Sequence, residues 1–166
     1  MIAEPLPSEF AAALAATVTG RGVFGARLTY AGEVGSTNDL AAAAAERGDP
    51  EGTTFVAGAQ TAGRGRLGRG WFSPPGAGLY VSTIVRRASL APWITLAGGV
   101  AVAEGITRAT ALPVQIKWPN DIVSVGGSGF RSRRKIAGIL AEASSGPAGV
   151  QHIVLGMLDR SVGACA

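Results

Sequence analysis

The residues most able to do chemistry lie in one short loop, where glycines separate three arginines. The segment reads Gln60-Thr61-Ala62-Gly63-Arg64-Gly65-Arg66-Leu67-Gly68-Arg69-Gly70-Trp71. Glycine allows the backbone to approach a ligand closely, so successive N–H groups can converge on one anion. Arginine adds planar, permanently charged donors that match a phosphate or a carboxylate. The loop therefore predicts binding of a phosphorylated or carboxylated small molecule.

Two other interpretations of this loop remain open. It can be a nucleic-acid contact held by phosphate charge alone, although such segments are usually longer, repeated and disordered. It can also be a solvated basic loop with no ligand. Because Leu67 is its only apolar anchor, we expect the unliganded loop to be mobile and to become ordered around the charge of a ligand.

The two lysines stand out among fifteen basic residues, since the other thirteen are arginines. Lys135 heads an apolar strand pattern that includes Ile136, Ile139 and Leu140, which would place its ammonium at one end of a sheet. The alternative is an ordinary charge at a strand end, beside the basic segment 131–134. Lys117 precedes Trp118-Pro119, and the proline keeps Trp118 out of the helical region, so this segment is predicted to be extended and bent.

The elements that must position these residues alternate between helical and strand patterns. The polar run Gly35-Ser36-Thr37-Asn38 offers cap residues for a helix, and Ser8 is a possible N-cap of an earlier one. The predicted helices cover residues 8–17, 39–47 and 89–110. The predicted strands cover residues 27–34, 53–59, 79–85, 114–118, 122–125, 135–143 and 150–155. We predict an α+β fold, a mixed β-sheet with helices packed on one face.

Composition limits the class of protein. The chain has 166 residues, 47% apolar and 16% charged, with a net charge of +4, which fits one globular domain. No apolar run reaches the roughly 18 residues of a membrane span, and the N-terminus lacks the pattern of a secretory signal. The single cysteine, Cys165, has no partner for a disulfide, which favours a reducing cytoplasm.

The Gly–Arg segment resembles the signature of the biotin–protein ligases. Gly35-Ser36-Thr37-Asn38 is similar to that family's Ser-Thr-Asn at the start of a helix. Lys117-Trp118-Pro119-Asn120-Asp121 and Lys135-Ile136-Ala137-Gly138-Ile139-Leu140-Ala141-Glu142 match two further segments. The four motifs occur in the family's order across residues 28–155.

The resemblance implies a fold like that of class II aminoacyl-tRNA synthetases and biotin synthetases, and a reaction in two steps. The biotin carboxylate attacks the α-phosphate of ATP, brought with Mg²⁺, and gives biotinyl-5′-AMP. A lysine of a biotin carboxyl carrier protein then takes the biotin. The resemblance implies no resident metal, and we expect no membrane or nucleic-acid partner.

The resemblance also implies residue roles. The catalytic residues would be Lys135, Arg64 and Arg66. Biotin would contact Ser36, Thr37, Asn38, Gln60, Arg64, Gly65, Arg66 and Lys135. The nucleotide would contact Arg69, Trp71, Lys117 and Asn120. The apolar tail of biotin would lie along Leu79, Val81, Ile139 and Leu140, with Gly138 allowing close backbone approach.

For several of these residues a structural role competes with the implied one. The Ser36–Asn38 run can be a helix cap, and Gln60 an ordinary polar residue at a strand end. For Trp71 we favour packing in the core over packing on the adenylate. Ordinary core packing is also the safer interpretation of the tail-slot residues.

The match fails near the end of the chain. The family usually continues with a Gly-x-Asn segment and a small C-terminal β-barrel domain, whereas residues 157–166 match neither. We therefore expect residues 1–166 to be a single, truncated catalytic domain whose activity is in doubt. About 25 N-terminal residues are too few for a winged DNA-binding domain. The alternatives are a lipoate or octanoate transferase of related fold, an inactive remnant, and a basic nucleic-acid-binding domain that uses Arg64, Arg66, Arg69 and residues 131–134.

Overall fold

The computed structural model describes residues 3–125 and 133–159; Arg131, Cys165 and the rest of the predicted tail from residue 160 onward lie outside the described residues. A sheet of seven strands organises the chain. The helices are α1 (Ser8–Ala16), α2 (Val18–Arg21), α3 (Thr37–Glu46) and α4 (Ile94–Thr110), with 3₁₀ turns at Arg66–Gly68 and Ala88–Leu90. The strands are β1 (Leu28–Val34), β2 (Thr54–Gln60), β3 (Leu79–Val85), β4 (Val114–Lys117), β5 (Asp121–Ser124), β6 (Lys135–Gly146) and β7 (Gly149–Asp159).

The strands lie in the order β1-β2-β3-β7-β6-β5-β4. Strands β1 and β2 are parallel, and every other neighbouring pair is antiparallel, so the predicted mixed sheet and α+β class are confirmed. Val34 pairs with Gln60 where β1 and β2 end. The two segments that follow these strands, the Ser-Thr-Asn turn and the Gly–Arg loop, therefore begin side by side.

The two long helices lie on opposite faces of the sheet, whereas the sequence predicted helices on one face. Buried alanines of α3 pack against Ile84 and Val154. On α4, Ile94 packs against Val85 and Leu155. Because successive residues of a strand point to opposite faces, the alternation along β3 and β7 divides the helices between the two faces. Periodicity shows which side of a helix is apolar but not which face of the sheet receives it.

Helix boundaries differ from the predictions at their first residues. Helix α1 begins at Ser8 itself, with Pro7 at the N-cap position, so the predicted cap is wrong by one residue. Helix α3 begins at Thr37, with Ser36 as an extended N-cap residue whose side chain makes no capping hydrogen bond. Helix α4 begins at Ile94 rather than residue 89, since Pro92 has no N–H to donate within a helix interior.

Strand β7 runs further than predicted. Its last residues, Met157 to Asp159, pair with both β3 and β6, so the segment predicted as a divergent tail begins inside the sheet. In the described ranges 3–125 and 133–159, no helix has the length and apolarity needed to cross a membrane.

Candidate functional site

The Ser-Thr-Asn turn and the start of the Gly–Arg loop are joined by backbone hydrogen bonds. The Thr61 N–H donates to the Val34 carbonyl at 2.9 Å, and the Ala62 N–H donates to the Gly35 carbonyl at 2.8 Å. Ser36, Thr37, Asn38 and Gln60 are all buried. Four polar residues predicted to contact biotin therefore meet in one place, at the ends of two parallel strands.

These buried polar groups satisfy one another through Ser82, a residue of β3 that is 0% exposed. The Thr37 N–H donates to Gln60 Oε1 at 2.8 Å. Ser82 Oγ lies 2.6 Å from Asn38 Oδ1 and 2.8 Å from Thr37 Oγ1. A hydroxyl has one hydrogen, and only a donor can satisfy Asn38 Oδ1, so Ser82 donates to Asn38. Thr37 Oγ1 also lies 3.1 Å from Gln60 Oε1, an oxygen that can only accept, so the single hydrogen of Thr37 is shared between Gln60 and Ser82.

A carboxylate fixes the other end of the Asn38 amide. Asn38 Nδ2 donates to Glu142 Oε2 at 2.5 Å, which leaves Asn38 Oδ1 facing Ser82. Gly156 lies against the same amide, and a Cβ at this glycine would collide with Asn38 Oδ1. The orientation of Asn38 is therefore set from three sides, by β3, β6 and β7.

Arg64 joins the Gly–Arg loop to this group through two carboxylates. Its Nη1 and Nη2 donate to the two oxygens of Asp39 at 2.9 and 2.6 Å, and Nη2 lies 3.4 Å from Glu142 Oε2. The hydrogen-bonded guanidinium lowers the pKa of Asp39 below its usual value, and the hydrogen bond from Arg64 to Asp39 raises the pKa of Arg64. Both partners therefore stay ionised across the physiological pH range.

The Gly–Arg loop is a short antiparallel hairpin. The Trp71 N–H donates to the Gly63 carbonyl at 2.8 Å, and the Gly65 N–H donates to the Arg69 carbonyl at 2.7 Å. The tip contains Leu67 with φ of 59° and ψ of 35°, a left-handed conformation unusual for this residue type. Leu67 is 88% exposed, so the predicted apolar anchor contacts no core. Backbone hydrogen bonds and the Arg64 ion pairs hold the loop instead.

Lys135 lies at the start of β6, as predicted, and its ammonium has two neighbours. Its Nζ is 2.6 Å from Asp121 Oδ1 and 4.4 Å from the centre of the Trp71 ring, within the range of a cation–π contact. A Cβ at Gly138 would lie 3.3 Å from the Lys135 side chain and 3.4 Å from Trp71. Gly138 thus leaves room for these two side chains.

An open cleft of about 400 Å³ lies beside this lysine. Arg66 reaches into it, with Nη1 3.4 Å from Asn120 Oδ1. The cleft is lined by Gly65, Arg66, Leu67, Arg69, Gly70, Trp71, Asn120, Asp121, Lys135, Gly138, Ile139, Leu140 and Leu158. Three of the four predicted nucleotide residues line it, and the exposed Lys117 does not. Trp71 both lines the cleft and packs against a core cluster, so the favoured core packing still leaves it facing the cleft.

A second, much smaller cavity of about 10 Å³ lies under Arg64. It is lined by Ser36, Thr37, Asn38, Gln60, Arg64, Leu140, Gly156, Met157 and Leu158. Leu140 and Leu158 line both cavities, so the polar cavity and the basic cleft adjoin. This volume holds about one water molecule, and a ring could enter only after Arg64 or a neighbouring side chain moved.

Of the four residues predicted to form an apolar slot, two lie elsewhere. Leu140 and Ile139 line the cleft. Leu79 and Val81 alternate with Tyr80 and Ser82 on β3 and therefore point to the opposite face of the sheet. The prediction for Leu79 and Val81 is wrong because it followed the apolar side chains of β3, whereas the polar Ser82 marks the strand face that turns toward the site.

The sequence analysis gave no role to Ser82, Asp39, Asp121 or Glu142. Ser82 had a usable signal, since it is the polar residue on the same strand face as Tyr80 and Ile84 within an apolar strand. Asp121 and Glu142 lie inside the quoted motifs. Asp121 is the first residue of β5, and Glu142 is a charged residue within β6. Asp39 had no signal, because an acidic residue in the first turn of a helix is ordinary.

Oxygen ligands for a divalent cation are available in the cleft. Within the described part of the chain, no three His, Cys, Asp or Glu side chains gather in a group that could hold a metal. Asn120 and Asp121 both line the cleft, where Asn120 Oδ1 lies near Arg66 and Asp121 Oδ1 pairs with Lys135. Such a pair suits Mg²⁺ that arrives with a nucleotide, because Mg²⁺ is usually held by one or two protein ligands plus phosphates and water.

The chain belongs to the Biotin/lipoate A/B protein ligase family, whose model matches residues 33–158. It is 38% identical over 138 residues to the bifunctional ligase/repressor BirA of Bacillus spizizenii, covering 81% of this chain and 40% of that protein. It is 40% identical over 126 residues to the biotin–[acetyl-CoA-carboxylase] ligase of Mycobacterium tuberculosis, covering 71% of this chain and 45% of that protein.

Solved structures of biotin protein ligases share the fold. The Leishmania major enzyme in complex with biotinyl-5-AMP superposes with a TM-score of 0.65 and 29% identity, covering 81% of this chain and 57% of that one. The Aquifex aeolicus enzyme in complex with biotin and ATP gives a TM-score of 0.63 and 31% identity, covering 81% and 52%. The predicted family and fold are confirmed, and the chain spans less than half the length of the two relatives compared by sequence.

Proposed function

We propose that this chain carries the catalytic domain of an ATP-dependent biotin–protein ligase, which forms biotinyl-5′-AMP and transfers biotin to a lysine of a biotin carboxyl carrier protein. The observation that supports this most directly is the pair of adjoining cavities, one small and lined by Ser36, Thr37, Asn38 and Gln60, the other larger and lined by Arg66 and Lys135. Biotin has the matching parts, a polar ureido ring and a carboxylate joined by an apolar tail.

The polar cavity suits the ureido ring. Ser36, Thr37, Asn38 and Gln60 offer both donors and acceptors there, as a group with two N–H and one C=O requires. Leu140 and Leu158, which line both cavities, would contact the apolar tail. Gln60 and Asn38 are already fixed by hydrogen bonds, so little ordering is needed when the ring binds.

The cleft suits the first chemical step. A carboxylate oxygen of biotin attacks the α-phosphorus of ATP, a new P–O bond forms, and the bond to pyrophosphate breaks with its electrons on the leaving oxygen. Two anions must approach each other, so electrostatic stabilisation is the main task of the protein. Arg66 and Lys135 would supply it. Arg69, Trp71 and Asn120 would contact the nucleotide, Asn120 and Asp121 would hold its Mg²⁺, and Lys117 would act only from outside the cleft.

In the second step the amine of the acceptor lysine attacks the acyl carbon, and AMP leaves. The amine of the acceptor lysine must reach the acyl carbon in the cleft. Because the cleft is open, a lysine that belongs to another protein could enter it. We further propose that residues 1–166 belong to one catalytic domain and that the protein works in the cytoplasm, in keeping with the lone Cys165.

Lipoate is the second candidate substrate, because the family model covers both vitamins. The dithiolane ring of lipoate has no N–H or C=O to pair with the buried Asn38, Thr37 and Gln60. A site built to hydrogen-bond its ligand discriminates strongly against an analogue that leaves those groups unpaired. The polar cavity therefore favours biotin.

Calorimetry with purified protein tests this function, with biotin, lipoate and single-stranded DNA as separate ligands, each with and without ATP. We expect biotin to bind and its affinity to increase with ATP, and a pyrophosphate-release assay to require both. Binding of lipoate in preference to biotin, or of DNA alone, would overturn the proposal. Binding of biotin without pyrophosphate release would leave an inactive remnant.

A further inference from the structure

The side chain of Arg64 is already occupied in the unliganded protein. Three of its five N–H groups point at carboxylates, two at Asp39 and one at Glu142. Glu142 also accepts the hydrogen bond from Asn38. One guanidinium thus connects the Gly–Arg loop, the first turn of α3 and the middle of β6.

The charge at this point does not favour an incoming anion. Arg64 contributes +1, and Asp39 and Glu142 contribute −1 each, so the group carries about −1 in total. Arg66 differs, because within residues 3–125 and 133–159 no carboxylate lies within ion-pair distance of its guanidinium. Arg66 also lines the open cleft, where phosphate charge would arrive.

We propose that Asp39 and Glu142 form a carboxylate clamp on Arg64, which makes Arg64 a positioning residue. The clamp ties the loop to α3 and holds Glu142 where it fixes the amide of Asn38. Contact with the biotin carboxylate and the α-phosphate is then left to Arg66 and Lys135. This inference rests on the proposed function for the identity of the ligand, but the clamp itself exists without ligand.

The loop can be tested first in the absence of any ligand. Trypsin cleaves after arginine, so the rate of cleavage after Arg66 and Arg69, followed by mass spectrometry, reports opening of the loop. Asp39→Asn removes one charge at nearly constant shape, and we expect cleavage to accelerate about twofold to fivefold, the upper part of the range for a solvent-accessible ion pair. The acceleration should shrink in 1 M salt, where such pairs are screened.

Matched variants separate the clamp from a general loss of stability. Glu104→Gln removes another exposed ion pair, with Arg108 on α4, and should leave loop cleavage unchanged. Glu142→Gln keeps an acceptor for Asn38 but loses the charge beside Arg64, and should also accelerate cleavage. Unchanged cleavage in both Asp39→Asn and Glu142→Gln would overturn the clamp.

The ligand experiment decides the role of Arg64. For a positioning residue, Asp39→Asn raises the Kd for biotin about threefold to tenfold and leaves kcat for pyrophosphate release within about twofold at saturating biotin. Adding Arg64→Gln to Asp39→Asn then costs no more than Arg64→Gln alone. If Arg64 instead binds the biotin carboxylate, Asp39 is its competitor, and Asp39→Asn tightens biotin binding, which would overturn the proposal. If the wild-type protein binds no biotin while Asp39→Asn still opens the loop, the proposed function falls and the clamp stands.

Discussion

Replacing Ser82 with alanine tests whether the buried polar group beneath the helix start is part of the ligand site. Ser82 is 0% exposed, and its Oγ lies 2.6 Å from Asn38 Oδ1 and 2.8 Å from Thr37 Oγ1. The substitution removes one oxygen and no carbon. It leaves the Asn38 carbonyl oxygen without its hydroxyl donor and frees one side of the amide that Glu142 holds on the other.

The expected loss follows from the burial of these atoms. Leaving a buried acceptor without a donor costs about 1–3 kcal/mol. The adjacent cavity of about 10 Å³ plus the space of the deleted oxygen admits one water, which can replace part of the lost bonding. We therefore expect a loss of about 1–2 kcal/mol in the free energy of unfolding, equal to a fall of about 2–8 °C in Tm for a domain of this size. If the amide contacts the ureido ring, a similar loss in binding free energy weakens biotin affinity about 5-fold to 30-fold.

Thr83 supplies the matched control, because it is the next residue of β3 and lies on the other face of the sheet. Its hydroxyl is buried too, 3.1 Å from Thr54 Oγ1 and 3.3 Å from the Thr53 carbonyl. Thr83→Val removes that hydroxyl at equal volume. Urea unfolding should show comparable losses in the two variants, and titration calorimetry should show weaker biotin binding in Ser82→Ala alone. Equal biotin affinity in Ser82→Ala and wild type, or equal weakening in both variants, would refute the reasoning.

Three further predictions concern the reaction centre, the pocket wall and the ion pair. Lys135→Ala should slow pyrophosphate release about 10²-fold or more and largely spare biotin binding. An unchanged rate of release would remove Lys135 from the mechanism. Gly156→Ala should weaken biotin binding at least about tenfold and destabilise the fold by about 1–3 kcal/mol, because the new Cβ collides with Asn38 Oδ1. Gly99→Ala is the control, because its new Cβ would meet only Ile116 at 3.8 Å. It should weaken neither biotin binding nor the stability of the fold in the same assays. Since the folded-state pKa of Asp39 is lowered from 3.8, its stabilising contribution is complete above that pH and is lost as pH falls through the lowered value. The difference in Tm between wild type and Asp39→Asn should thus vanish in acid, and a difference that grows in acid would contradict the assigned direction.

Local patterns were sufficient to predict much of the fold. Strand β3 was predicted with its observed bounds, because its β-branched and apolar run is typical of a buried strand. The Ser36–Asn38 turn was predicted to start a helix because its side chains are good cap residues. The position of Lys135 at the start of β6 followed from the apolar residues after it. Each of these features depends on residues close together in the chain.

Features that depend on distant residues were missed. Asn38 and Glu142 are 104 positions apart, and Ser82 and Asn38 are 44 apart. Only the strand order brings β3, β7 and β6 together beneath α3, and no spacing rule in the sequence specifies that order. The dependence on strand order also explains Lys117. It lies in the predicted Lys-Trp-Pro-Asn-Asp motif, but its position on edge strand β4 leaves it exposed and outside the cleft.

Several charged residues of the site are held in place before any ligand binds. A lysine or arginine side chain loses up to about 2 kcal/mol of rotamer entropy when it becomes fixed. Lys135 is held by Asp121 and the Trp71 ring, and Arg64 by Asp39 and Glu142, so this cost falls on folding rather than on binding. The acidic partners also lower the net positive charge of the empty site, which limits non-specific attraction of other anions. Arg66, on the exposed hairpin, has no such partner among the described residues. Arg69 also lines the cleft without a carboxylate at ion-pair distance among the described residues. Under the proposed function, these two arginines are the cations whose ordering depends on the ligands.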